Sequence, residues 1–225
     1  MSQSFSFADS LAVSDLQVYL SRAGRVEDGS VRLIAGSGVL AVYTAILYPR
    51  GLLDQSPTVL GLRTFAIQQG VDFDVVVPSR SMLDRLARLR ETLADDATDV
   101  EVRLPLEVST VTWAGISPPR GGWRGVGSTE TDILEATARA GIEEVAEAIP
   151  TGTGEQLVQR VRSEVWGRPI EGLEFVPGGA AFAASSLGFL SAGEKVDLYE
   201  TGPWTRLTTR RGHVLVRRQA WTLKP

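Results

Sequence analysis

The segment IPTGTGEQLVQRV, residues 149–161, has the glycine-rich spacing of a loop that could hold the phosphates of a nucleotide. Such a loop needs a buried strand before it, a lysine to neutralise the phosphates and a Ser or Thr for magnesium. Here the preceding IEEVAEAI is helical and acidic, and the lysine and Ser/Thr positions carry Glu155 and Gln156. A carboxylate at the lysine position would repel phosphate. We therefore predict a join between two helices, with Thr153 as N-cap, Gln156 as its capping-box partner and Glu155 at the positive end of the helix dipole.

No other segment supplies a set of residues for catalysis or metal binding. His213 is the only histidine, so one chain cannot build a site with two or three histidine ligands. A Ser-His-Asp triad would have to use His213, and no G-x-S-x-G turn presents a nucleophile. Asp72 and Asp74 share one face of a predicted strand, where they could bind a cation or act as acid and base; a solvated strand face is the commoner explanation. We predict no catalytic residue, no metal site and no cofactor.

The segment PPRGGWRGVGSTETD, residues 118–132, is the best candidate for ligand binding. Arg120, Trp123 and Arg124 lie in a flexible sequence, and Ser128 and Thr129 would offer free N–H groups at the start of a helix. This combination could hold an anion, or stack a nucleobase on Trp123 with the arginines on its phosphates. It is also typical of an interdomain linker whose tryptophan packs back on the core, and this second interpretation is favoured.

Basic residues are concentrated towards the C-terminal end. From residue 206 onward there are six basic residues and no acid: Arg206, Arg210, Arg211, Arg217, Arg218 and Lys224. Setting these six positive charges aside from the net charge of −4 leaves −10 on the rest of the chain. Such a patch is typical of a docking surface for nucleic acid or an acidic protein partner, with Arg210 and Arg211 as candidate contacts. A solvated sheet edge, where charge discourages aggregation, would have the same composition.

The overall composition is that of an ordinary globular protein. Of 225 residues 43% are hydrophobic and 22% charged, which permits a core without disulfides or metals. Only Lys195 and Lys224 are lysines, so 21 of the 23 basic residues are arginines, a bias typical of a GC-rich genome. The absence of cysteine and of a signal-peptide pattern predicts a cytoplasmic protein. The longest apolar stretch, residues 33–48, is broken by glycines and favours a hairpin over a membrane span.

The order of predicted elements favours an α+β fold. In the first half the strands are 31–47, folded as a hairpin around Gly-Ser-Gly, 58–67, 72–78 and 100–115. Residues 79–94 form the best helix, with a capping box from Ser81 to Asp84, whereas 15–23 could be helix or strand.

In the second half, helices are predicted over 131–149, opening after Thr129, and over about 154–166. The first of them has its apolar face at Leu134, Ala138, Ile142, Val145 and Ile149. A strand over 173–176, a helix over 180–190 and a hairpin over 196–218 follow.

A break in composition divides the chain. We expect a mainly antiparallel β-rich lobe with one helix, residues 1–115, a Gly/Pro/Arg loop or linker, residues 116–128, and a helical lobe with a C-terminal hairpin, residues 129–225. Residues 73–89 and 173–190 both have the pattern strand, proline, helix, with Pro78 aligned on Pro177. Because strand-to-helix turns are common, an internal repeat is the less favoured explanation.

Two resemblances extend these predictions. The ending GPWTRLTTRRGHVLVRR and the arginine-rich usage resemble uncharacterised proteins of high-GC Gram-positive bacteria. Residues 5–104 are similar in element order to one domain of a DNA sliding clamp, most clearly at FDVVVPSRSMLDRLARL. The second resemblance implies an inward helix over 80–93, with Arg80, Arg85, Arg88 and Arg90 facing DNA phosphates non-specifically. It also implies a homo-oligomer, because a closed clamp needs six such lobes and three copies of this chain would supply them.

Two functions remain open at this point, beside a third option, a purely structural subunit of a larger complex. The preferred one is a non-enzymatic binding or assembly protein, clamp-like, with nucleic acid or an acidic protein as partner. The alternative is an enzyme or small-molecule binder with an anionic ligand between the lobes. There residues 116–132 would act as a lid, Arg120 and Arg124 would grip the ligand, and Asp72 or Asp74 would serve as acid or base.

Overall fold

A computed structural model describes residues 3–51, 54, 56–108, 111–115, 117–150 and 152–217. It has the predicted α+β fold, in which the strand pairs are antiparallel. The chain divides into two compact units: unit 1 comprises Met1–Ala45 and Leu62–Gly115, and unit 2 comprises Ile46–Gly61 and Ile116–Pro225. Arg218 and Lys224, part of the predicted basic patch, lie outside the described residues.

Unit 1 contains two helices set against antiparallel strands. In chain order its elements are β1 (Ser4–Asp9), α1 (Ser10–Val26), β2 (Ser30–Gly36), β3 (Val39–Leu47), β4 (Thr58–Ala66), β5 (Phe73–Pro78), α2 (Ser79–Thr92), β6 (Thr98–Arg103) and a 3₁₀ turn (Thr112–Gly115), with β3 and β4 each continuing into unit 2. β2 pairs with both β3 and β5, and β1 pairs with β6. The ambiguous segment 15–23 is therefore helical, and the strand β1 before it was not predicted.

The predicted hairpin of unit 1 is confirmed. β2 and β3 are joined by Ser37 and Gly38, whose φ angles are 51° and 76°. Two consecutive positive φ values define the type I′ turn that matches the twist of a two-residue hairpin. The apolar stretch 33–48 therefore folds back on itself, and among the described residues no helix is long and apolar enough to cross a membrane.

Unit 2 contains three helices and a four-stranded portion of sheet. Its elements are β7 (Arg124–Glu130), α3 (Thr131–Ala148), α4 (Glu155–Gly167), β8 (Pro169–Ile170), β9 (Leu173–Pro177), α5 (Gly178–Ser186), β10 (Lys195–Thr201), β11 (Trp204–Thr208) and β12 (His213–Arg217). The strand order is β12-β11-β10-β7. The predicted C-terminal hairpin is thus a three-stranded meander, and its neighbour β7 begins inside the predicted linker.

The predicted helix caps are wrong. Strands run directly into helices at Pro78, Glu130 and Pro177, and none of these residues makes a side-chain capping bond. α2 therefore begins two residues before Ser81, and Thr129 lies in β7. Thr153 does not cap α4 either, because its hydroxyl donates to the Pro150 carbonyl at 2.6 Å and Gly154 is the N-cap. Glu155 does lie in the first turn of α4.

The buried stripe of α3 also differs from the prediction. Leu134 and Ala138 are buried, but Ile142 is 47% exposed. The stripe continues instead through Gly141, where a Cβ atom would lie 2.3 Å from the ring of Trp166. The Trp166 ring is stacked on Phe182 with centroids 4.4 Å apart, so α3 approaches α4 at a residue that has no side chain.

The two strand–proline–helix segments share a local conformation. Pro78 ends β5 with φ −63° and ψ 128°, and Pro177 ends β9 with φ −73° and ψ 151°. Each proline is extended and is followed at once by a helix. Proline suits the junction because its φ is already fixed and the first helical turn leaves its N–H groups unbonded.

Adding a methyl group to Gly141 is expected to destabilise the protein. Gly141→Ala forces the Trp166 ring away from Phe182, and overpacking of this kind costs about 1–3 kcal/mol. Gly24→Ala in α1 is the matched control, because nothing lies within 4 Å of the position that its new methyl group would take. The control should stabilise by roughly 0.5 kcal/mol through helix propensity. Urea unfolding followed by circular dichroism measures both changes, and equal effects would contradict the close approach at Trp166.

Candidate nucleic-acid interface

The exposed face of α2 carries the first group of predicted site residues. The helix buries Ser79, Met82 and Leu86 at helical spacing. Arg80, Arg85 and Arg88 are exposed and lie on the remaining face. With Arg90, the helix exposes four arginines over about three turns.

The three arginines differ in what they contact. Arg80 forms an ion pair with Asp28 and its side chain is 81% exposed. Within the described ranges, Arg85 and Arg88 make no ion pair or hydrogen bond. Arg90, the fourth arginine of the helix, donates to the Gln17 side chain of α1 at 2.8 Å. Arg85 and Arg88 are therefore the arginines of α2 most available to an external anion.

The predicted Arg-Trp segment lies in unit 2 and packs back on the sheet, as the favoured interpretation expected. Trp123 donates from Nε1 to the Pro119 carbonyl at 3.1 Å, which closes the turn containing Arg120. The indole ring covers Arg206 of β11, with Cζ 4.6 Å from the ring centroid. Ser128 and Thr129 lie in β7, opposite Asp197 and Val196 of β10, and so do not begin a helix. Arg120 and Arg124 are exposed.

Arg206 contacts two aromatic rings. Its Cζ lies 4.6 Å from the centroid of Tyr199 as well as from that of Trp123. Tyr199 is the direct cross-strand partner of Arg206 in the β10–β11 pair. The Nε atom is buried and meets no hydrogen-bond acceptor among the described residues. Burial lowers the pKa of Arg206, an effect that the nearby Tyr199 hydroxyl partly offsets.

Arg206 was predicted only as a member of the basic patch, and Tyr199 was not predicted as a site residue. The sequence did contain a signal for the pairing of these two residues. Two strands joined at Gly202–Pro203 place residues 199 and 206 opposite each other when each strand is counted from the turn. The contact with Trp123 carried no such signal, since 83 residues separate positions 123 and 206 in the chain.

Arg210 and Arg211 lie in the turn between β11 and β12. Arg210 pairs with Glu194 at 3.5 Å and is 88% exposed. The backbone N–H of Arg211 donates to the Thr209 hydroxyl at 3.2 Å, within a turn closed by Thr209 and Gly212. These two arginines belong to unit 2, whereas α2 belongs to unit 1. Arg210 already has an acidic partner in Glu194.

The contacts of Asp74 argue against the hypothesis that it acts as a general acid or base. The Asp74 carboxylate accepts two hydrogen bonds from Arg32, from Nε at 2.8 Å and from Nη2 at 2.7 Å. Arg32 also donates to the Ala114 carbonyl at 2.6 Å, so the guanidinium ties β2 and β5 to the 3₁₀ turn. A carboxylate in a bidentate pair is stabilised in its charged form and is a poor proton acceptor. Asp74 is therefore a structural ion-pair residue.

A cleft of about 520 Å³ lies within unit 2 beside the PTGTG segment. Its walls carry both signs of charge, from Arg50 and Arg160 on one hand and Asp54, Glu155 and Glu164 on the other. Arg50 pairs with Glu155 at 3.4 Å, and Asp54 accepts from the backbone N–H of Arg50. This mixture does not single out an anionic ligand. Across the described residues, no group of three or more His, Asp or Glu side chains could hold a metal ion.

Two family models match the sequence. Residues 1–105 match a domain of unknown function, DUF8010, and residues 118–221 match another domain of unknown function, DUF8185. A search of curated proteins found no match.

Solved structures of bacterial DNA sliding clamps are similar to the whole chain. The pol III beta of Caulobacter crescentus matches with a TM-score of 0.53 and 16% identity, over 98% of this chain and 67% of that one. DNA polymerase III subunit beta from Borrelia burgdorferi gives 0.55 and 8%, over 99% and 66%. The DNA polymerase sliding clamp from Bacillus subtilis gives 0.52 and 11%, over 100% and 67%. The chain thus has a sliding-clamp-like fold and spans about two thirds of the length of these clamps.

The burial of His213 near Arg206 makes stability depend on pH. Burial, and secondarily the charge of Arg206, lower the pKa of His213 to about 4, while its Nδ1 lies 3.1 Å from the Thr208 hydroxyl. The unfolded chain, with a histidine pKa of about 6.5, binds the proton first, so stability present above pH 6.5 is lost as the pH falls towards 4. Between pH 7 and pH 5 the loss should be about 2 kcal/mol. Urea unfolding of wild type and His213→Asn over this range measures it, and parallel pH profiles would contradict the assignment.

Proposed function

We propose that this chain is a non-enzymatic, clamp-like protein that binds the sugar–phosphate backbone of duplex DNA through the arginine face of α2. The observation that carries the proposal is the combination of a sliding-clamp-like fold over the whole chain with Arg85 and Arg88 exposed and free of ion pairs among the described residues. Guanidinium groups on an exposed helix face match phosphate oxygens in geometry and charge.

The binding that this face supports is electrostatic and independent of base sequence. Contacts to phosphate fix a protein on the duplex but carry no sequence information. The chain as a whole has a net charge of −4, so attraction to DNA depends on local basic groups. α3 cannot serve the same purpose, because its five acids outnumber the single Arg139. The proposed contact surface is therefore confined to unit 1.

We also propose that the chain is divided into two domains and that it forms a homo-oligomer. The two lobes, residues 1–115 and 129–225 with the segment 116–128 between them, are taken as two domains of clamp type. Since the chain spans about two thirds of a bacterial clamp subunit, three copies contain as much chain as two such subunits. A homotrimer would supply the six lobes of a closed ring.

Removing Arg85 and Arg88 together should weaken DNA binding. The logarithm of the DNA-binding constant falls linearly with the logarithm of the salt concentration. The slope of this line should become shallower by about 0.9 for each phosphate that the variant no longer neutralises. Fluorescence anisotropy with two duplexes of unrelated sequence, at several salt concentrations, measures affinity and slope, and the two duplexes should bind equally. Arg139→Ala with Arg160→Ala is the matched control, because it also removes two exposed positive charges but leaves α2 intact.

Equal loss of affinity in the test and control variants would show that net charge, and not the α2 face, governs binding. A wild-type chain that binds neither duplex at low salt would overturn the proposed function itself.

The oligomeric state is tested separately. Size exclusion coupled to light scattering should give a mass near three times the 24.3 kDa of the chain. A trimer whose mass does not change over a dilution series supports ring closure. A monomer would contradict the ring while leaving the DNA contact of α2 to be judged by the anisotropy measurement.

A further inference from the structure

The Arg206 guanidinium is restricted in its motion by neighbouring aromatic rings. The ring centroids of Trp123 and Tyr199 each lie 4.6 Å from its Cζ. Contact with two aromatic rings attracts the cation through the ring quadrupoles and restricts the rotation of a long side chain. The Nε atom is buried, so the terminal Nη groups are the donors left for a ligand. A preorganised arginine loses less conformational entropy when it binds an anion.

The charge of Arg206 has no counterion within the part of the chain that the structure describes. No carboxylate lies within ion-pairing distance, and the buried Nε lacks an acceptor. On β10, Asp197 shares the face of Tyr199 but lies opposite Thr208 and not opposite Arg206, and Glu200 belongs to the other face of the strand. Burying part of a cation without a hydrogen-bonded partner is unfavourable. An anion bound at the Nη groups would supply the counterion that this charge lacks.

Further positive charge lies in the segment that carries Trp123. Arg120 and Arg124 are exposed on either side of the tryptophan, and the Trp123–Pro119 hydrogen bond fixes the turn between them. A phosphate group offers several oxygens and can accept from more than one guanidinium, whereas a carboxylate offers two. Tyr199 and Trp123 additionally provide ring edges for an adjoining base. The surroundings favour phosphate over carboxylate.

We propose that Arg206, in contact with Trp123 and Tyr199, is a phosphate-binding site of unit 2 that accepts a phosphate group of a nucleotide or of a single nucleic-acid strand. This site is distinct in residues from the α2 face and does not depend on the function proposed for that face.

The test observes Arg206 directly. In ¹H–¹⁵N spectra of the full chain, the Arg206 Nε–Hε signal is identified by its absence in Arg206→Lys. Inorganic phosphate, thymidine monophosphate and a short oligothymidylate are then added at constant ionic strength, with sodium acetate and sodium chloride as matched controls. The expected result is a saturable shift of the Arg206 signal with the phosphate-bearing probes. Stronger binding of the nucleotide than of inorganic phosphate identifies a free nucleotide as the source, and stronger binding of the oligonucleotide identifies a strand.

Two variants separate this site from general charge. Trp123→Leu keeps Arg206 but removes one stacking ring, and it should weaken phosphate binding about three- to fivefold. Arg139→Ala, which removes an exposed positive charge of unit 2 on α3, should leave binding unchanged. Amide spectra confirm that each variant is folded.

An Arg206 signal that does not move with any phosphate-bearing probe, or that moves equally with acetate or chloride, would overturn the proposal. Because Arg85 and Arg88 are intact in all of these variants, loss of the Arg206 response with unchanged duplex affinity would leave the function proposed for α2 unaffected. A retained Arg206 response in a chain that does not bind duplex DNA would support this site and contradict the function proposed for α2.

Discussion

The indole ring of Trp166 holds the helices of unit 2 together. It stacks on Phe182 of α5, and it lies so close to Gly141 that α3 has no room for even a methyl group at that point. Gly179 of α5 in turn lies against the Trp166 backbone, where a Cβ atom would be 3.1 Å from the carbonyl oxygen. Glycines on two helices thus meet Trp166 of the third, Gly141 at its ring and Gly179 at its backbone. The close packing of the three helices depends on the absence of a side chain at both glycines.

The two units place different chemistry on their exposed helices. In unit 1, α2 exposes arginines and α1 exposes the apolar Leu11 and Val18. In unit 2, α3 is strongly acidic, whereas α5 is mostly buried and carries no charged residue. The chain shares its fold with bacterial sliding clamps at 8–16% identity. Fold alone does not determine function, and any role in nucleic-acid binding depends on the specific groups of each unit.

The sequence predicted elements well where the signal was local. The hairpin at Ser37 and Gly38, the helix after Pro78 and the join between two helices before Glu155 all depend on neighbouring residues. The starts of α2 and α3 at residues 79 and 131 were predicted correctly, but their caps at Ser81 and Thr129 were not, because capping patterns assume a turn before the helix, whereas Pro78 and Glu130 lead straight from strand to helix. The Trp123–Arg206 contact could not be predicted, because it joins residues that only the folded sheet brings together.

The guanidinium of Arg32 connects three parts of unit 1, since it binds the Asp74 carboxylate twice and the Ala114 carbonyl once. Gly115 ends the 3₁₀ turn, so any pull on the chain beyond that residue is transmitted to β2 and β5 by a side chain as well as by the backbone. One hydrogen bond, from Arg32 to the Ala114 carbonyl, must break before the turn can separate from β2, while the two bonds to Asp74 keep the guanidinium on the β2–β5 pair. Unit 1 therefore has a side-chain anchor at the 3₁₀ turn, through which the β2–β5 strand pair shares tension from the following segment.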